Sequence, residues 1–261
     1  MKPRADRSLR ALALLLAMLL APLHGPPATA QGAAQGAASG AAPDAAGLAP
    51  YKARYQVSYR GISGGQIENA IRPGTTPGQW LYESRAFPNI LGRVAVSPDA
   101  RQRSTMEVAP GGAVRPLSLV FDDGTDDGAK DLRMKFDWAA GRVSGESKGK
   151  PFDLPLQPGT QDSTSVQVAM LIELAAGRAP QSFLIQNGAR LEDYRYWSEG
   201  RATVVTPYGQ YDTVVWASQR QGSKRVNRVW HAPSLGYVPV QAIQYNKGRP
   251  DVQMKLVALE R

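Results

Sequence analysis

The stretch YKARYQVSYR, residues 51–60, alternates apolar and polar side chains without interruption. Its aromatic or aliphatic members are Tyr51, Ala53, Tyr55, Val57 and Tyr59, with a polar residue after each. Successive side chains of a β-strand point to opposite faces, so this pattern predicts a strand with one dry and one wet face. The same alternation appears in DLRMKFDW, residues 131–138, and in DVQMKLVAL, residues 251–259.

Runs of similar composition fill most of the chain between these three segments. They lie near 63–72, 79–87, 100–109, 114–121, 182–187, 190–198, 201–206, 209–220, 224–231 and 236–245. Gly, Pro, Asn and Asp occupy most of the gaps, as expected for turns between short strands. About a dozen strands at this spacing predict an all-β, mainly antiparallel domain. We expect a sheet curled into a barrel or half-barrel, because curling hides its edges.

One segment, DSTSVQVAMLIELAAGR at residues 162–178, departs from the strand pattern. Thr164 and Gln167 have the spacing of a capping box, and Gly177 suits the left-handed residue that follows a helix. The residues between them are apolar on nearly every side, which predicts a buried helix over 164–176. We expect this helix to lie across the mouth of the barrel as a plug or lid.

The N-terminus has the pattern of a secretory signal peptide. Lys2, Arg4, Arg7 and Arg10 precede the apolar run ALALLLAMLLA, which is too short to span a bilayer. The small-x-small sequence ATA then ends at Ala30. We therefore predict a signal peptide at residues 1–30, cleaved after Ala30, and a periplasmic location for the mature chain.

Residues 31–49 are rich in Ala and Gly and nearly uncharged, so we interpret them as a disordered tether. Residues 50–261 are expected to form a single β-rich domain. Loss of the signal peptide, with its four basic residues and one acidic residue, lowers the formal charge from +9 to +6. A basic exported protein is attracted to anionic surfaces, but no dense basic cluster indicates a nucleic-acid partner.

The chain contains no cysteine, which excludes a lipoprotein acylation site, disulfides and thiolate metal ligands. Charged residues in the middle of the predicted strands would be costly against lipid. We therefore expect a soluble domain that does not span a membrane once the signal peptide is removed.

The stretch FDDGTDDGAKD, residues 121–131, raises the question of a calcium loop. Counted from Asp123, the twelfth position, which should be a bidentate Glu, is Met134. Asp-Gly steps are also favoured corners of hairpins, because they tolerate positive φ. We predict a hairpin turn between two strands, and no metal site.

The mature chain has one histidine, His231, because His24 falls within the signal peptide. No companion motif surrounds it, so we expect a structural or surface role. Dispersed carboxylates could still serve a glycoside hydrolase, and the candidates are Glu68, Glu83, Glu107, Asp162 and Glu173. Nothing in the sequence singles out a pair, and Asp162 is placed to bond the first free amides of the helix. We predict no catalytic residue and no cofactor.

Three unlinked motifs together resemble one known family. An Asp-x-x-Ser-x-Gln helix start falls on Asp162, Ser165 and Gln167, and a Thr-Pro-x-Gly turn begins at Thr206. A Trp-x-Ala-Pro…Tyr-x-Pro-Val pair of strands begins at Trp230 and includes Tyr237. The chain resembles, over most of residues 50–261, exported proteobacterial proteins classified as a domain of unknown function. The resemblance implies an exported β-rich domain and no established activity.

Our leading hypothesis is a non-catalytic envelope protein that binds an amphiphilic or envelope-derived ligand in its curved sheet. The candidate ligand-lining or motif residues are Asp162, Ser165, Gln167, Met170, Leu174, Trp230 and Tyr237. One alternative is a hydrolase of cell-wall or surface glycan. Another is an envelope assembly factor that holds a partner protein's strand along an open sheet edge. The expected partners are accordingly a lipid or other amphiphile, or an envelope protein.

Overall fold

The structure is a computed structural model that describes residues 48–261. The predicted signal peptide, and the predicted tether up to residue 47, lie outside the described residues. The strands, in chain order, are β1 (Tyr51–Tyr59), β2 (Ile62–Pro73), β3 (Gln79–Pro88), β4 (Arg101–Val108), β5 (Val114–Asp122), β6 (Leu132–Asp137), β7 (Arg142–Ser147), β8 (Lys150–Pro155), β9 (Ser182–Asn187), β10 (Arg190–Thr206), β11 (Gly209–Arg220), β12 (Arg225–His231), β13 (Pro239–Asn246) and β14 (Arg249–Glu260). The helix α1 (Ser165–Ala175) lies between β8 and β9.

All fourteen strands belong to one antiparallel sheet. β1 to β8 form one meander and β9 to β14 form another, and the two join where β14 pairs with β1. The sheet is not closed: β8 and β9 are its two edges, and α1 connects them across the concave face. This arrangement confirms the predicted all-β, curled sheet with a single helix.

The predicted alternation decides which face of each strand is buried. In β1 the residues Tyr51, Ala53, Tyr55 and Val57 are buried, and the polar residues between them reach solvent. Buried residues of β1 to β5, β13 and β14 form one core cluster with residues of α1. The helix therefore packs against the inner face of the sheet, as its apolar surface predicts.

Three hairpins turn through two residues that both have positive φ. These pairs are Arg60-Gly61, Lys148-Gly149 and Lys247-Gly248, and they join β1 to β2, β7 to β8 and β13 to β14. Positive φ at both positions defines a type I′ turn, whose twist matches that of the flanking strands. These turns fix the register of the hairpins that they close.

The helix starts differently from the predicted capping box. The side chain of Thr164 makes no capping hydrogen bond, and instead accepts one from Gln102 of β4. The free amides are bonded by Asp162, whose Oδ1 accepts from the N–H groups of Thr164 (2.7 Å) and Ser165 (2.8 Å). The prediction for Asp162 was right and that for Thr164 was wrong, because β4 takes the Thr164 hydroxyl.

The end of the helix follows the prediction. Gly177 has φ +69°, and the N–H of Arg178 donates to the carbonyl of Glu173 at 2.8 Å. The N–H of Gly177 donates to the carbonyl of Leu174 at 3.0 Å. These two bonds form a Schellman motif, which requires a left-handed residue at this position.

Two details of the strand prediction are wrong. The runs predicted at 190–198 and 201–206 are one long strand, β10, with an irregular register between Ser198 and Gly200. A glycine at a bulge has the same local signature as a turn. The strands β7 and β8 were not predicted, because RVSGES and KPFDLP are short and contain Gly or Pro.

Candidate ligand-binding cavity

A cavity lies between α1 and the concave face of the sheet. It offers about 100 Å³ to the centres of water-sized molecules, and eight strands contribute to its walls. A single ordered water needs roughly 10–15 Å³ of such space, so the cavity can hold several waters or the end of an alkyl chain. It is the natural place to look for a ligand.

Apolar and aromatic side chains form most of the wall. The aromatic members are Tyr51, Tyr55, Tyr82, Tyr196 and Trp216, contributed by β1, β3, β10 and β11. Met170 of α1 and Met254 of β14 lie among them. Methionine is flexible and polarizable, so it can adapt its shape to a bound apolar group.

The buried tyrosines act as neutral hydrogen-bond donors. The hydroxyl of Tyr55 donates to the carbonyl of Pro239 at 3.0 Å, and that of Tyr82 donates to Oε1 of Gln167 at 3.1 Å. Burial raises the pKa of Tyr55 and of Tyr82 well above the usual value for tyrosine. Their hydroxyls are therefore un-ionised at physiological pH and are already bonded within the protein.

Unlike the tyrosines, Asn227 and Gln244 bring amide groups to the cavity wall from β12 and β13. They lie opposite each other in the sheet, and Nε2 of Gln244 donates to Oδ1 of Asn227 at 3.1 Å. Each amide has further donors and acceptors beyond this bond. The pair can orient the polar end of a ligand.

His231 also lines the cavity, at the end of β12, and is buried. Its Nδ1 lies 2.9 Å from the carbonyl oxygen of Tyr237. A carbonyl can only accept, so Nδ1 carries the hydrogen and Nε2 is left as an acceptor. Burial lowers the pKa of His231 to about 4, against an opposing effect of the bond to Tyr237. The imidazole is thus neutral at physiological pH.

Of the seven residues predicted to line a ligand site, two lie in the wall of this cavity. Gln167 and Met170 of α1 face the cavity. Leu174 lies one helical turn beyond Met170 and packs with it against Trp216, as part of a separate small cluster. Trp230 and Tyr237 pack at the margin of the main core and are not among the cavity-lining residues.

Asp162 and Ser165 lie at the start of α1, outside the cavity wall, and both are fully buried. Oδ2 of Asp162 accepts from the hydroxyl of Ser104 in β4 at 2.7 Å, while Oγ of Ser165 accepts from the N–H of Asp162 at 2.8 Å. Burial raises the pKa of Asp162, and its hydrogen bonds act in the opposite direction. These contacts fasten the helix to β4.

Gln167 completes the fastening of α1, on the side of β3. A bond from this half-buried polar side chain to a carbonyl of a neighbouring strand is the simplest expectation. Instead, its Oε1 accepts from Tyr82 of β3, and its Nε2 donates to the carbonyl of Ser163 at 3.3 Å. The Asp-x-x-Ser-x-Gln motif therefore positions the helix against β3 and β4.

The aspartate-rich segment is the loop between β5 and β6, which confirms a hairpin at this point. Oxygens of Asp122, Asp123 and Asp131 lie within 4.8 Å of one another. These carboxylates bond the loop itself: Asp131 accepts from the N–H of Asp123 at 3.1 Å, and Asp123 accepts from the N–H of Thr125 at 3.1 Å. Both Asp-Gly steps place glycine at positive φ, as predicted.

The residues that line the cavity include no aspartate or glutamate within the described part of the chain. Three of the carboxylates considered for glycoside cleavage are paired elsewhere. Glu68 bonds Arg54 at 2.8 Å, Glu83 lies 2.5 Å from Arg103, and Glu173 bonds Arg178 at 2.7 Å. The cavity wall is thus mainly apolar and neutral, and its one charged member is Arg228, which pairs with Glu199 at 2.6 Å.

Sequence reasoning missed most of the cavity wall. Tyr82, Trp216, Asn227 and Gln244 lie on strands that were predicted, but alternation within one strand does not tell which residues of other strands share its face. Nothing local indicates that β3 and β11 meet the same helix, because that depends on the pairing of β1 with β14. The sequence therefore indicated the strands that form the wall, but not that these strands meet around the same helix.

Fold and cavity together define a class of protein: one antiparallel sheet that curls around a single internal helix. The model of a family described as a protein of unknown function, DUF3108, matches residues 54–255. The chain therefore belongs to the DUF3108 family, and the resemblance drawn from the sequence motifs is confirmed. No curated protein sequence matches the chain. Within residues 48–261, no helix has both the length and the apolar character needed to cross a bilayer.

Several solved structures are distantly similar. MucB is 13% identical with a TM-score of 0.35, and the match covers 81% of this chain and 52% of MucB. MucB in complex with MucA, from Pseudomonas aeruginosa, gives 12% identity, a TM-score of 0.36 and coverages of 81% and 51%. A Bacteroides fragilis protein with a YmcC-like fold is 10% identical, with a TM-score of 0.32 and coverages of 81% and 95%. The chain spans about half the length of MucB.

Proposed function

We propose that this protein is exported and binds an amphiphile between α1 and the concave face of its sheet, without catalysing a reaction. The observation that carries the proposal is the cavity wall, which is largely aromatic and aliphatic with a few neutral polar groups and one cation, Arg228. Such a composition is typical of sites that bind apolar small molecules. The signal-peptide pattern supports export to the periplasm.

The wall also indicates which part of a ligand goes where. Trp216, Met170 and Met254 provide a surface for an alkyl chain. Asn227, Gln244 and Nε2 of His231 provide neutral donors and acceptors for hydroxyl, ester or amide groups. Among the described residues, the wall contains no carboxylate that could pair with a cationic headgroup. We therefore expect a neutral or anionic amphiphile, such as a lipid or fatty acid derivative.

The alternative of glycan hydrolysis is less favoured, because the cavity wall has no carboxylate to act as acid or nucleophile.

Binding of a partner strand is also less favoured, because the two edge strands offer few free hydrogen-bonding groups. In β8, alternate residues direct their backbone N–H and C=O groups toward β7 or away from it. The register set by the Lys148-Gly149 turn makes Pro151, Asp153 and Pro155 the residues that face away from β7. Two of these three positions have no N–H to donate.

The other edge is partly occupied. The N–H of Gln161 donates to the carbonyl of Leu184 in β9 at 2.8 Å, and Gln161 accepts from the N–H of Gln186 at 2.8 Å. The segment before α1 thus fills hydrogen-bonding positions that a partner strand would need. An envelope protein remains the second candidate partner, through surfaces other than these edges.

The proposal is tested by filling the cavity. Ala242 of β13 lies in the wall, so Ala242→Phe should occupy the space that the ligand needs. We expect a roughly tenfold or greater loss of affinity for a soluble fluorescent fatty-acid analogue, measured by fluorescence titration. Native mass spectrometry of protein purified from its own periplasm should also show a co-purifying lipid, which Ala242→Phe loses.

Ala202→Phe is the matched control, because Ala202 of β10 is not among the cavity-lining residues. It should bind the analogue as the wild type does. If the wild type binds no analogue and carries no lipid, the proposal is wrong. Equal binding by the wild type and a folded Ala242→Phe protein would place any ligand elsewhere.

A further inference from the structure

Five large apolar side chains are exposed together at one end of the sheet. Their exposed fractions are 59% for Ile62, 47% for Phe87, 85% for Ile90, 63% for Leu91 and 65% for Val94. Ile62 begins β2, and the others lie at the end of β3 and in the loop that follows it. We call these five residues the apolar tip. Clustered exposure of this kind marks a surface that contacts something apolar.

The backbone of the apolar tip is held in place by hydrogen bonds. The side chain of Asn89 donates to the carbonyl of Ser63 at 2.9 Å and accepts from the N–H of Gly92 at 2.8 Å. A Cβ at Gly92 would lie 2.0 Å from the carbonyl oxygen of Gly64, so only glycine permits this close approach. The apolar side chains are therefore presented on a built platform.

Positive charges line the same end of the sheet beside the apolar tip. The cations lie in the turns that follow β1, β11 and β13 or begin the strands after those turns, and they are Arg60, Lys224, Arg225, Lys247 and Arg249. We call these five residues the basic rim. β2, β1, β14, β13 and β12 are consecutive in the sheet, and the N–H of Lys247 bonds the carbonyl of Lys224 at 3.3 Å. The rim thus continues from the tip along one side.

The basic rim is largely unneutralised. Arg60 pairs with Asp251 at 2.8 Å. For the other four cations of the rim, no carboxylate of residues 48–261 lies within 4.0 Å. The aspartate loop borders the opposite side of the tip, where Ser97 donates to the carbonyl of Gly124 at 2.8 Å. An anionic surface would therefore meet the tip and the rim.

We propose that the apolar tip and the basic rim dock this protein on an anionic lipid bilayer. The apolar side chains enter the boundary between headgroups and acyl chains, and the cations of the rim lie at the phosphate groups. Charge complementarity selects a bilayer over an uncharged apolar partner. Docking does not depend on the amphiphile cavity. Asn227 and Gln244 lie two residues from Arg225 and Asn246, so the polar part of the cavity wall is near the docked end of the sheet. If the amphiphile proposal also holds, a ligand's polar group would lie toward the bilayer.

Flotation with vesicles tests the docking. The wild type should float with vesicles that contain phosphatidylglycerol and remain behind with vesicles of phosphatidylcholine alone. Ile90→Ser with Leu91→Ser should weaken binding roughly tenfold or more, because both side chains leave water on docking. Lys247→Gln with Arg249→Gln should weaken it by a similar factor and flatten its dependence on salt.

Matched controls alter the same chemistry elsewhere. Val205→Ser with Val120→Ser removes exposed apolar side chains outside the tip, and Arg195→Gln with Arg201→Gln removes exposed cations outside the rim. Both should bind anionic vesicles as the wild type does. Absence of wild-type flotation, or equal flotation by tip and control variants, overturns the proposal. So does a wild-type dimer that the tip variant converts to a monomer while vesicle binding is unchanged.

The two proposals fail separately. Vesicle flotation measures docking without requiring the cavity, and titration with a soluble analogue measures the cavity without a bilayer. Loss of flotation in the tip variant with normal titration supports docking alone, whereas loss of titration in Ala242→Phe with normal flotation supports the cavity alone.

Discussion

Single polar side chains determine how α1 sits in an otherwise apolar interior. Asp162 bonds Ser104 and two backbone amides, and Gln167 bonds Tyr82. A buried polar group without partners is costly, whereas a satisfied one holds its neighbours in one geometry. The polar atoms of the Asp-x-x-Ser-x-Gln motif are thus used in joining the helix to β3 and β4.

His231 yields a prediction at the same scale. The imidazole has a folded pKa of about 4, lowered by burial from 6.5. Between these values the unfolded chain binds a proton that the folded protein excludes, so the stability contributed by this group is full above pH 6.5 and is lost toward pH 4. We expect the wild type to lose about 2–3 kcal/mol from this source between neutral pH and about pH 4.5.

Urea unfolding of the wild type and of His231→Gln at both pH values measures this contribution. The variant should lack that part of the pH dependence, because glutamine does not titrate. An identical pH dependence in the two proteins would mean that the imidazole is protonated, or solvated, in the folded state.

Among the elements, α1 connects the two halves of the sheet. Val168, Leu171 and Ile172 pack in the main core, while Met170 and Leu174 pack against Trp216 of β11. A helix buried on both sides cannot leave without exposing two hydrophobic surfaces. The contacts of Met170 therefore fit a plug more closely than a hinged lid.

Met170→Asp tests the role of the helix. The change places an unpaired carboxylate among buried apolar side chains and should cost several kcal/mol, enough to unfold a domain of ordinary stability. Met170→Leu, which nearly conserves volume, should cost less than about 1.5 kcal/mol. Thermal unfolding followed by circular dichroism compares the two. A folded Met170→Asp protein that no longer binds the fatty-acid analogue would favour a lid, and one that binds normally would contradict both roles.

At the scale of the whole molecule, the sheet is open, so its two edge strands could pair with other copies of the chain. It has fourteen strands and two edges, and a Cβ added at Gly188 would lie 2.8 Å from Oγ of Ser147, so the two edge hairpins touch at one end. Prolines in β8 and the Gln161 bridge on β9 limit further pairing. Unprotected edges are templates for association.

Removing the edge prolines should therefore change the association state. Pro151→Thr with Pro155→Thr restores two outward N–H groups and raises the strand propensity of β8. We expect a larger dimeric or aggregated fraction than in the wild type, measured by size-exclusion chromatography with light scattering. Pro158→Thr, in an exposed segment after β8, is the matched control and should behave as the wild type. If all three proteins elute alike, the prolines do not protect this edge.

The sequence alone determined the local structure. Alternation in residues 51–60 set the buried face of β1, and the apolar run at 164–176 set a buried helix. Gly177 set the end of that helix, and the Asp-Gly steps set a hairpin. Each of these depends on neighbouring residues only: on the period of side-chain direction, or on the φ that a residue tolerates. The strands β7 and β8, and the continuity of the bulged β10, escaped prediction because the local signals conflict.

The tertiary structure alone decided the pairing of β1 with β14, the convergence of eight strands on the cavity, and the presentation of the apolar tip. Tyr55 and Leu256 are partners across the sheet although some two hundred residues separate them. The residue types show that Ile90 and Trp216 are apolar, but not that one lies in solvent and the other beside Met170. Burial depends on which distant surface arrives to cover a side chain, and that is fixed by the packing of the whole chain.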